Sequence, residues 1–383
     1  MDKLKLGLGG LLLAMPYTAW ALFGDSVRPY AAYSMSHDSN YFRVNTNQAQ
    51  ALLGNSDTAV TTRNITVGVD TDLKFSRQTV LLRTNLNQTN FDRPALQSQN
   101  GRLFNADWQW VVGNQWSGSL GYLQSRELQT QTDSLTAQAS VRDRKDINFS
   151  ANYFLHPSFS LQADIRQSRS EYSPDSRAIL NLEENTLGLG FRFISRAGNQ
   201  IGLRLQQIDG RYINRPAPLD QYQQSEISLQ ADWQPGGHTR LHAQVGETQR
   251  DENQSTQRSP SWRFSLDWTP SGASSFSAYV AREITSSDSL TTAVSSVSNT
   301  QGLNANWQLS AKTVLNAALT AQTLDYSSIA RQDKTRTANL GLSYQPRRHI
   351  SMGLSYEIGQ RDSSLANSDY RYRQLTANIR GSF

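Results

Sequence analysis

From Val27 onward, apolar side chains recur at every second position in bursts, with polar side chains between them. In the first burst Val27, Pro29, Ala31, Tyr33 and Met35 alternate with Arg28, Tyr30, Ala32, Ser34 and Ser36. In the second, Ile65, Val67, Val69, Thr71, Leu73 and Phe75 alternate with Asn64, Thr66, Gly68, Asp70, Asp72 and Lys74. A period of two puts the two sets on opposite faces of a β-strand. Between these bursts, from His37 to Thr61, the chain reads as a polar loop. A tight connection at Ser76-Arg77-Gln78 then returns it through Val80, Leu82, Thr84 and Leu86.

The same unit repeats to the end. Short turns are expected at Gly113 to Gln115, His156 to Ser158, Arg196 to Asn199, Pro235 to His238, Thr269 to Ala273, Ser310 to Lys312 and Pro346 to Arg348. Polar loops of about 10 to 20 residues link one pair of strands to the next. The pattern predicts an all-β chain of about 18 strands, and an even number of antiparallel strands joined alternately by short turns and long loops is the layout of a transmembrane up-and-down β-barrel of the outer membrane. The tryptophans support it. Trp108, Trp110, Trp116, Trp233, Trp262, Trp268 and Trp307 all fall on the apolar face, mostly near a short turn. Indole rings prefer the headgroup level of a bilayer, whereas a soluble sandwich buries them in mid-strand. We therefore assign Trp108, Trp110, Trp116, Trp233, Trp268 and Trp307 to an aromatic girdle.

Both ends of the chain fit export. In the last burst Leu375, Ala377, Ile379, Gly381 and Phe383 share one face, and Thr376, Asn378, Arg380 and Ser382 share the other. A closing strand ending on Phe383, with Ile379 and Leu375 behind it, is expected to be the signal read by the outer-membrane barrel assembly machinery. At the other end, Lys3 and Lys5 precede the apolar run Leu6 to Met15, and Ala19-Trp20-Ala21 is a small-x-small site. That layout predicts a secretory signal peptide over residues 1–21, leaving 22–383 as one barrel domain. The apolar run is too short for a membrane-spanning helix, which needs about 20 residues.

Composition trims the remaining classes. The 383 residues include no cysteine, so no disulfide staples an exported fold. A mean hydropathy of -0.58 looks soluble, but a polar lumen offsets an apolar exterior in that average. The formal net charge is +5. Lys and Arg are spread without a cluster, and the charge points to no nucleic-acid partner; outer-membrane lipid is the expected surroundings.

Candidate chemistry lies on the polar face. Arg83, Arg166, Arg192, Arg204, Arg240 and Arg263 fall there with Asp70, Asp72, Asp107, Asp164, Asp232, Asp267, Glu283 and Glu357. Such a wall suits a hydrated channel, and neighbouring opposite charges would brace it. Arg192 and Arg204 flank one turn among glycines and are expected to form a positive pair, unless an acid from another strand reaches them. Asp232 and Arg240 flank the next turn and are expected to pair. Tyr30, Tyr279, Tyr370 and Tyr372 also point inward, where exposed rings could stack on sugars. The five histidines show no metal-ligand spacing, and His37-Asp38-Ser39, adjacent in sequence, cannot assemble a triad. No catalytic, metal or cofactor site is expected, and the chain is not read as an enzyme.

Several short motifs add a resemblance: His37 to Arg43 (His-Asp-Ser-Asn-Tyr-Phe-Arg), Phe75-Ser76-Arg77-Gln78, Asn90-Phe91-Asp92, and Asp107 to Trp110 with Gly113 to Gly118. These resemble the EpsL-type outer-membrane proteins of exopolysaccharide operons, a family close to putative β-barrel porin 2. The similarity is clearest from Leu22 to about Tyr122; beyond it only the strand rhythm continues. The resemblance implies a barrel serving export of a polysaccharide, with periplasmic polysaccharide-export proteins as partners. It carries no catalytic residues. The sequence alone fits a general diffusion or nutrient-uptake porin equally, or a structural anchor of a polysaccharide-assembly complex.

Overall fold

The computed structural model describes residues 26–129, 137–252, 255–286, 295–327 and 329–383. The expected signal segment, 1–21, lies outside them. The alternating bursts form one 18-stranded antiparallel sheet closed on itself. Its strands are β1 (Val27–Asp38), β2 (Val60–Phe75), β3 (Gln78–Phe91), β4 (Gln99–Val112), β5 (Trp116–Gln129), β6 (Ser140–His156), β7 (Phe159–Ser173), β8 (Leu182–Ile194) and β9 (Gln200–Tyr212). They continue as β10 (Gln221–Gly236), β11 (Thr239–Glu252), β12 (Ser255–Ser271), β13 (Ser274–Ser286), β14 (Ser295–Ser310), β15 (Thr313–Tyr326), β16 (Gln332–Arg347), β17 (Ile350–Ser363) and β18 (Tyr370–Ser382). Each strand pairs with its successor, and β18 pairs with β1 in a register that sets Ile379 opposite Tyr33 and Ala377 opposite Met35. Closure leaves no unpaired strand edge, which a sheet surrounded by lipid requires.

The apolar set faces outward on every strand. Leu203, Leu229, Val245, Leu303 and Leu340 are among many large apolar side chains that stay exposed on this surface. At the short-turn end the belt is rimmed by rings, among them Trp116, Phe159, Trp233, Trp268 and Trp307. Trp110 is half-buried, stacked on Phe149 with centroids 6.2 Å apart, and Trp108 Nε1 donates to Gln78 Oε1 at 3.0 Å. Trp262 sits at the opposite margin, beside Pro260. The inverted distribution has a simple cause: the solvent of the outer face is lipid, so burial there needs no protein partner.

Two expectations change. The long connections are shorter than the sequence suggested, because strands such as β6 and β12 run 17 residues, well past the apolar belt. Beyond the belt neither face meets lipid, and stretches such as Ser295 to Ser298 are buried among polar neighbours, so the period-two signal fades while backbone pairing continues. The stretch between β1 and β2 is also not a plain loop. It contains helix α1 (Thr46–Leu53), capped by Asn45, whose side chain accepts from the Gln48 amide at 2.8 Å. Gly54 ends it in the left-handed region at φ 72°, where glycine carries no Cβ penalty. Phe42, Ala49 and Val60 are fully enclosed here, packed with Tyr41, Val44, Leu96 and Ala139. The largest buried apolar cluster among the described residues thus lies at the long-loop end.

Candidate functional site

The pairing register places every predicted polar-face charge on the inner wall. Arg192 lies opposite Gly202, Arg204 opposite Gly190, Arg240 opposite Asp267, Arg263 opposite Ala281, Asp107 opposite Gly121, and Asp232 opposite His242. An 18-stranded barrel is wide enough to enclose an aqueous lumen, and these groups line it.

Some expected pairings do not occur. Arg204 is not half of a free positive pair: its Nη2 meets Asp164 Oδ2 at 2.8 Å. Asp164 is on β7, two strands away, and it reaches Arg204 by lying over β8 at Gly188. A Cβ on Gly188 would collide with that carboxylate, so the glycine provides passage for an ion pair and not room for a solute. Arg192 packs its stem over Gly202 and forms no ion pair with the described residues. Asp232 is bonded by His242 Nδ1 at 2.9 Å, in place of Arg240. A carboxylate only accepts, so Nδ1 carries the proton. His242 wins because it stands directly across the ladder from Asp232, whereas Arg240 lies two residues nearer the turn. Arg263 pairs with Glu283 at 3.2 Å, and Arg380 crosses β1 to reach Asp70 at 2.7 Å.

The sequence also gave no sign of how the inner tyrosines are held. Tyr30, Tyr222, Tyr279 and Tyr372 stand directly opposite Gly68, Gly210, Gly302 and Gly359. Each ring lies over its glycine so closely that a Cβ there would collide with it. Three of these rings carry a guanidinium on the other side: Arg380 over Tyr30 at 3.6 Å, Arg250 over Tyr222 at 3.5 Å and Arg43 over Tyr372 at 3.6 Å. Arg361 sits 4.6 Å over Tyr370. The rings expected to offer open faces to sugars are therefore covered, except Tyr279.

At the long-loop mouth the stacks join buried ion networks. Arg43, in the left-handed region at φ 53°, turns the β1–β2 connection inward. It pairs with Asp38 at 2.7 Å, and Tyr372, beneath its guanidinium, donates to Glu357 at 2.7 Å. Arg331 forks onto Asp333, with Nη2 at 2.6 Å, and Tyr326 and Ser363 donate to the same carboxylate at 3.1 and 2.6 Å. A buried pair of this kind adds little net stability but holds its neighbours in one arrangement. Nearby, burial and the Asp38 carboxylate push the Tyr41 phenol well above its usual value, so it stays neutral. Among the described residues no group of three His, Asp or Glu side chains could hold a metal ion.

Comparison with known proteins fits this geometry. Residues 244–383 match the family model of putative beta-barrel porin 2. The match begins inside β11, where the sequence showed strand rhythm alone, and it excludes the EpsL-type motifs between His37 and Gly118. No curated protein matches the chain. Among solved structures, OpdK from Pseudomonas aeruginosa, crystallised with vanillate, is similar over 94% of this chain and 100% of its own, with 11% identity and a TM-score of 0.50. OccK2 (OpdF) from the same organism matches over 94% and 99%, with 9% identity and a TM-score of 0.52. A BenF-like porin from Pseudomonas fluorescens Pf-5 matches over 94% and 100%, at 10% identity and a TM-score of 0.50. These likenesses establish the porin-type barrel fold.

Proposed function

We propose that the protein is a passive channel of the Gram-negative outer membrane, admitting small polar solutes through the barrel lumen. The observation that carries this reading is the closed wall itself, apolar outside and lined inside by hydrated, braced charges. The inturned connection between β1 and β2 and the buried networks at the mouth favour small solutes over a polymer. So do the covered tyrosines, whose ring faces are occupied by guanidinium groups and not free to stack on sugar rings. Delivery to the membrane would use the signal segment and the barrel assembly machinery, with Phe383, Ile379 and Leu375 as the recognised strand end.

Export of an exopolysaccharide with periplasmic partners is the second reading, favoured by the motifs from His37 to Gly118. Liposome swelling separates the two. Reconstituted protein should admit monosaccharides and small carboxylates readily, and exclude hexasaccharides. Equal permeation by hexasaccharides would favour the export reading, and no permeation of any solute would overturn the channel.

A further inference from the structure

A groove of about 1110 Å³ crosses the lipid-facing surface from β10 to β18. Its lining repeats a simple rule: each strand from β11 to β18 contributes two outward residues and the inward residue between them. The groove therefore runs between two adjacent outward rows of the ladder. One row passes from Trp233 through Leu241, Leu266 and Leu303 to Arg373, each residue in register with the row on the next strand. Crossing eight strand spacings of about 4.8 Å makes it about 38 Å long. With strands tilted by about 40°, it climbs about 24 Å, close to the full height of the apolar band.

The ends differ in chemistry. Trp233 marks the short-turn interface, and apart from Gln301 on β14 the outward lining residues are apolar as far as Ala321 on β15 and Ala338 on β16. Then Arg336, Arg371 and Arg373 stand together where the apolar belt stops. All three are exposed, and none forms an ion pair with the described residues. Two exposed acids stand near them, neither in an ion pair with these arginines: Asp362, opposite Lys334, accepts from Gln360 at 3.0 Å, and Asp369, two residues before Arg371, accepts from the Ser363 amide at 2.6 Å. Elsewhere on the outer rim some arginines are matched, as where Arg126 meets Asp143 at 2.5 Å and Arg169 meets Glu183 at 2.7 Å. Arg63 and Arg211 stand singly without an ion pair among the described residues, and only at the groove's end do three such arginines come together. Three unmatched guanidinium groups at headgroup height, at the end of an apolar channel, form a receptor for an anion attached to a hydrocarbon chain. Arginine forks suit phosphate oxygens in particular.

The geometry points to a specific site for a phosphorylated membrane lipid, its acyl chain lying in the groove over β11–β16 and its phosphate held by Arg336, Arg371 and Arg373. The site is on the outer wall and is independent of what passes through the lumen; it rests only on the barrel standing in a bilayer.

Native mass spectrometry of the full, folded protein in detergent tests it. The probes are bis-phosphorylated hexa-acyl lipid A, the same lipid stripped of its phosphates, and inorganic phosphate as competitor. The wild-type barrel should retain the phosphorylated lipid and release the stripped one, and excess inorganic phosphate should not displace the lipid. Replacing the three arginines (R336Q, R371Q, R373Q) should weaken binding roughly a hundred-fold, as expected for lost charge-assisted contacts. Ala338→Phe fills the groove with the arginines intact and should weaken binding as well. Equal retention of both lipids, displacement by inorganic phosphate, or unchanged affinity of either variant would overturn the site. The wild-type comparison needs no variant to fold, and planar-bilayer conductance unchanged by the triple substitution keeps this test separate from that of the channel.

Discussion

Leu229→Arg provides the sharpest test of which face meets lipid. Leu229 is 53% exposed on the outer wall, opposite Leu203 on β9 and Val245 on β11. Trp233 marks the short-turn interface four residues further along β10. At about 3.4 Å per residue that is about 14 Å along the strand, and a tilt of about 40° makes it about 10 Å in depth. Leu229 therefore lies near the middle of an apolar band about 25 Å tall. An arginine there should cost about 2 to 4 kcal/mol, a change of roughly 30- to 1,000-fold in the folding equilibrium. Gln230, one residue on, faces the lumen opposite Gly202 and Gln244, where water solvates a guanidinium; Gln230→Arg should be close to neutral. Leu342→Arg should fall between them, because Leu342 is only two residues from Tyr344 and so nearer the interface. Its inward neighbour Ser343 should tolerate the change. Urea unfolding of barrels folded into lipid vesicles measures all four. The reasoning fails if Gln230→Arg costs as much as Leu229→Arg, or if Leu342→Arg costs more.

Other expectations follow from the same wall. Asp164→Asn leaves Arg204 unpaired on the lumen and should shift the reversal potential in planar bilayers towards anions; an unchanged potential would remove this pair from the ion path. Phe383 ties its amide to Pro29 O at 2.9 Å and sets its ring on the outer surface, so Phe383→Asp should lower the yield of folded barrel, read by heat-modifiable gel mobility. Normal yield would show that neither the ring nor its place in the closing strand matters. At the long-loop end, partial burial opposes ionisation of Asp92, but hydrogen bonds from Thr61 and from its own amide, with nearby His37, outweigh it and hold the carboxyl below its usual range. A depressed folded pKa stabilises the fold above the unfolded value, near 3.9, and the gain is lost as pH falls through the folded one. Asp92→Asn should therefore destabilise at pH 7, and its deficit should shrink on acidification below about pH 4. A deficit independent of pH would mean that ionisation of Asp92 plays no part.

The fold was legible because lipid enforces the alternation of apolar and polar positions on each membrane-crossing segment. Ile227, Leu229 and Ala231 could face only one way, and so could Ser228 and Gln230 between them. What the alternation could not mark was where strands end. At Arg142 to Lys145 in β6, or Ser295 to Ser298 in β14, both faces meet polar surroundings and the signal disappears although the ladder continues. Helix α1 was legible in principle from Asn45 as a cap, the Ala49 to Leu53 run and Gly54 beyond it. At eight residues it is too short to show a clear 3.6-residue period against the polar stretch around it. For the inner wall, facing was legible and partnership was not. Contacts within one hairpin can be counted from the turn, as for Asp232 and His242 once the register is known. Asp164 to Arg204 and Arg380 to Asp70 each skip a strand, so they depend on what lies between, a glycine in one case and a tyrosine in the other.

The intervening residue explains why the inner tyrosines do not form a track for sugars. A tyrosine pointing straight into the lumen would narrow it and leave both ring faces free to bind. Opposite a glycine the ring folds down against the backbone instead, because no Cβ holds it off. That arrangement keeps the channel wide, and it exposes one ring face to the lumen. At Tyr30, Tyr222 and Tyr372 an arginine then occupies that face, where the ring quadrupole attracts the cation. Each arginine is also tied to a second group: Arg380 to Asp70, Arg250 to Glu252 at 2.7 Å, and Arg43 to Asp38. A solute that stacked on one of these rings would have to displace a guanidinium already held on two sides. Arg43 and Arg250 are themselves buried, so of the three it is Arg380, with Asp70 beside it, that presents the edge of its guanidinium to a passing solute. Such a surface exchanges hydrogen bonds with small ions and hydroxyl groups as they pass, and gives a long apolar-faced sugar chain little to rest on.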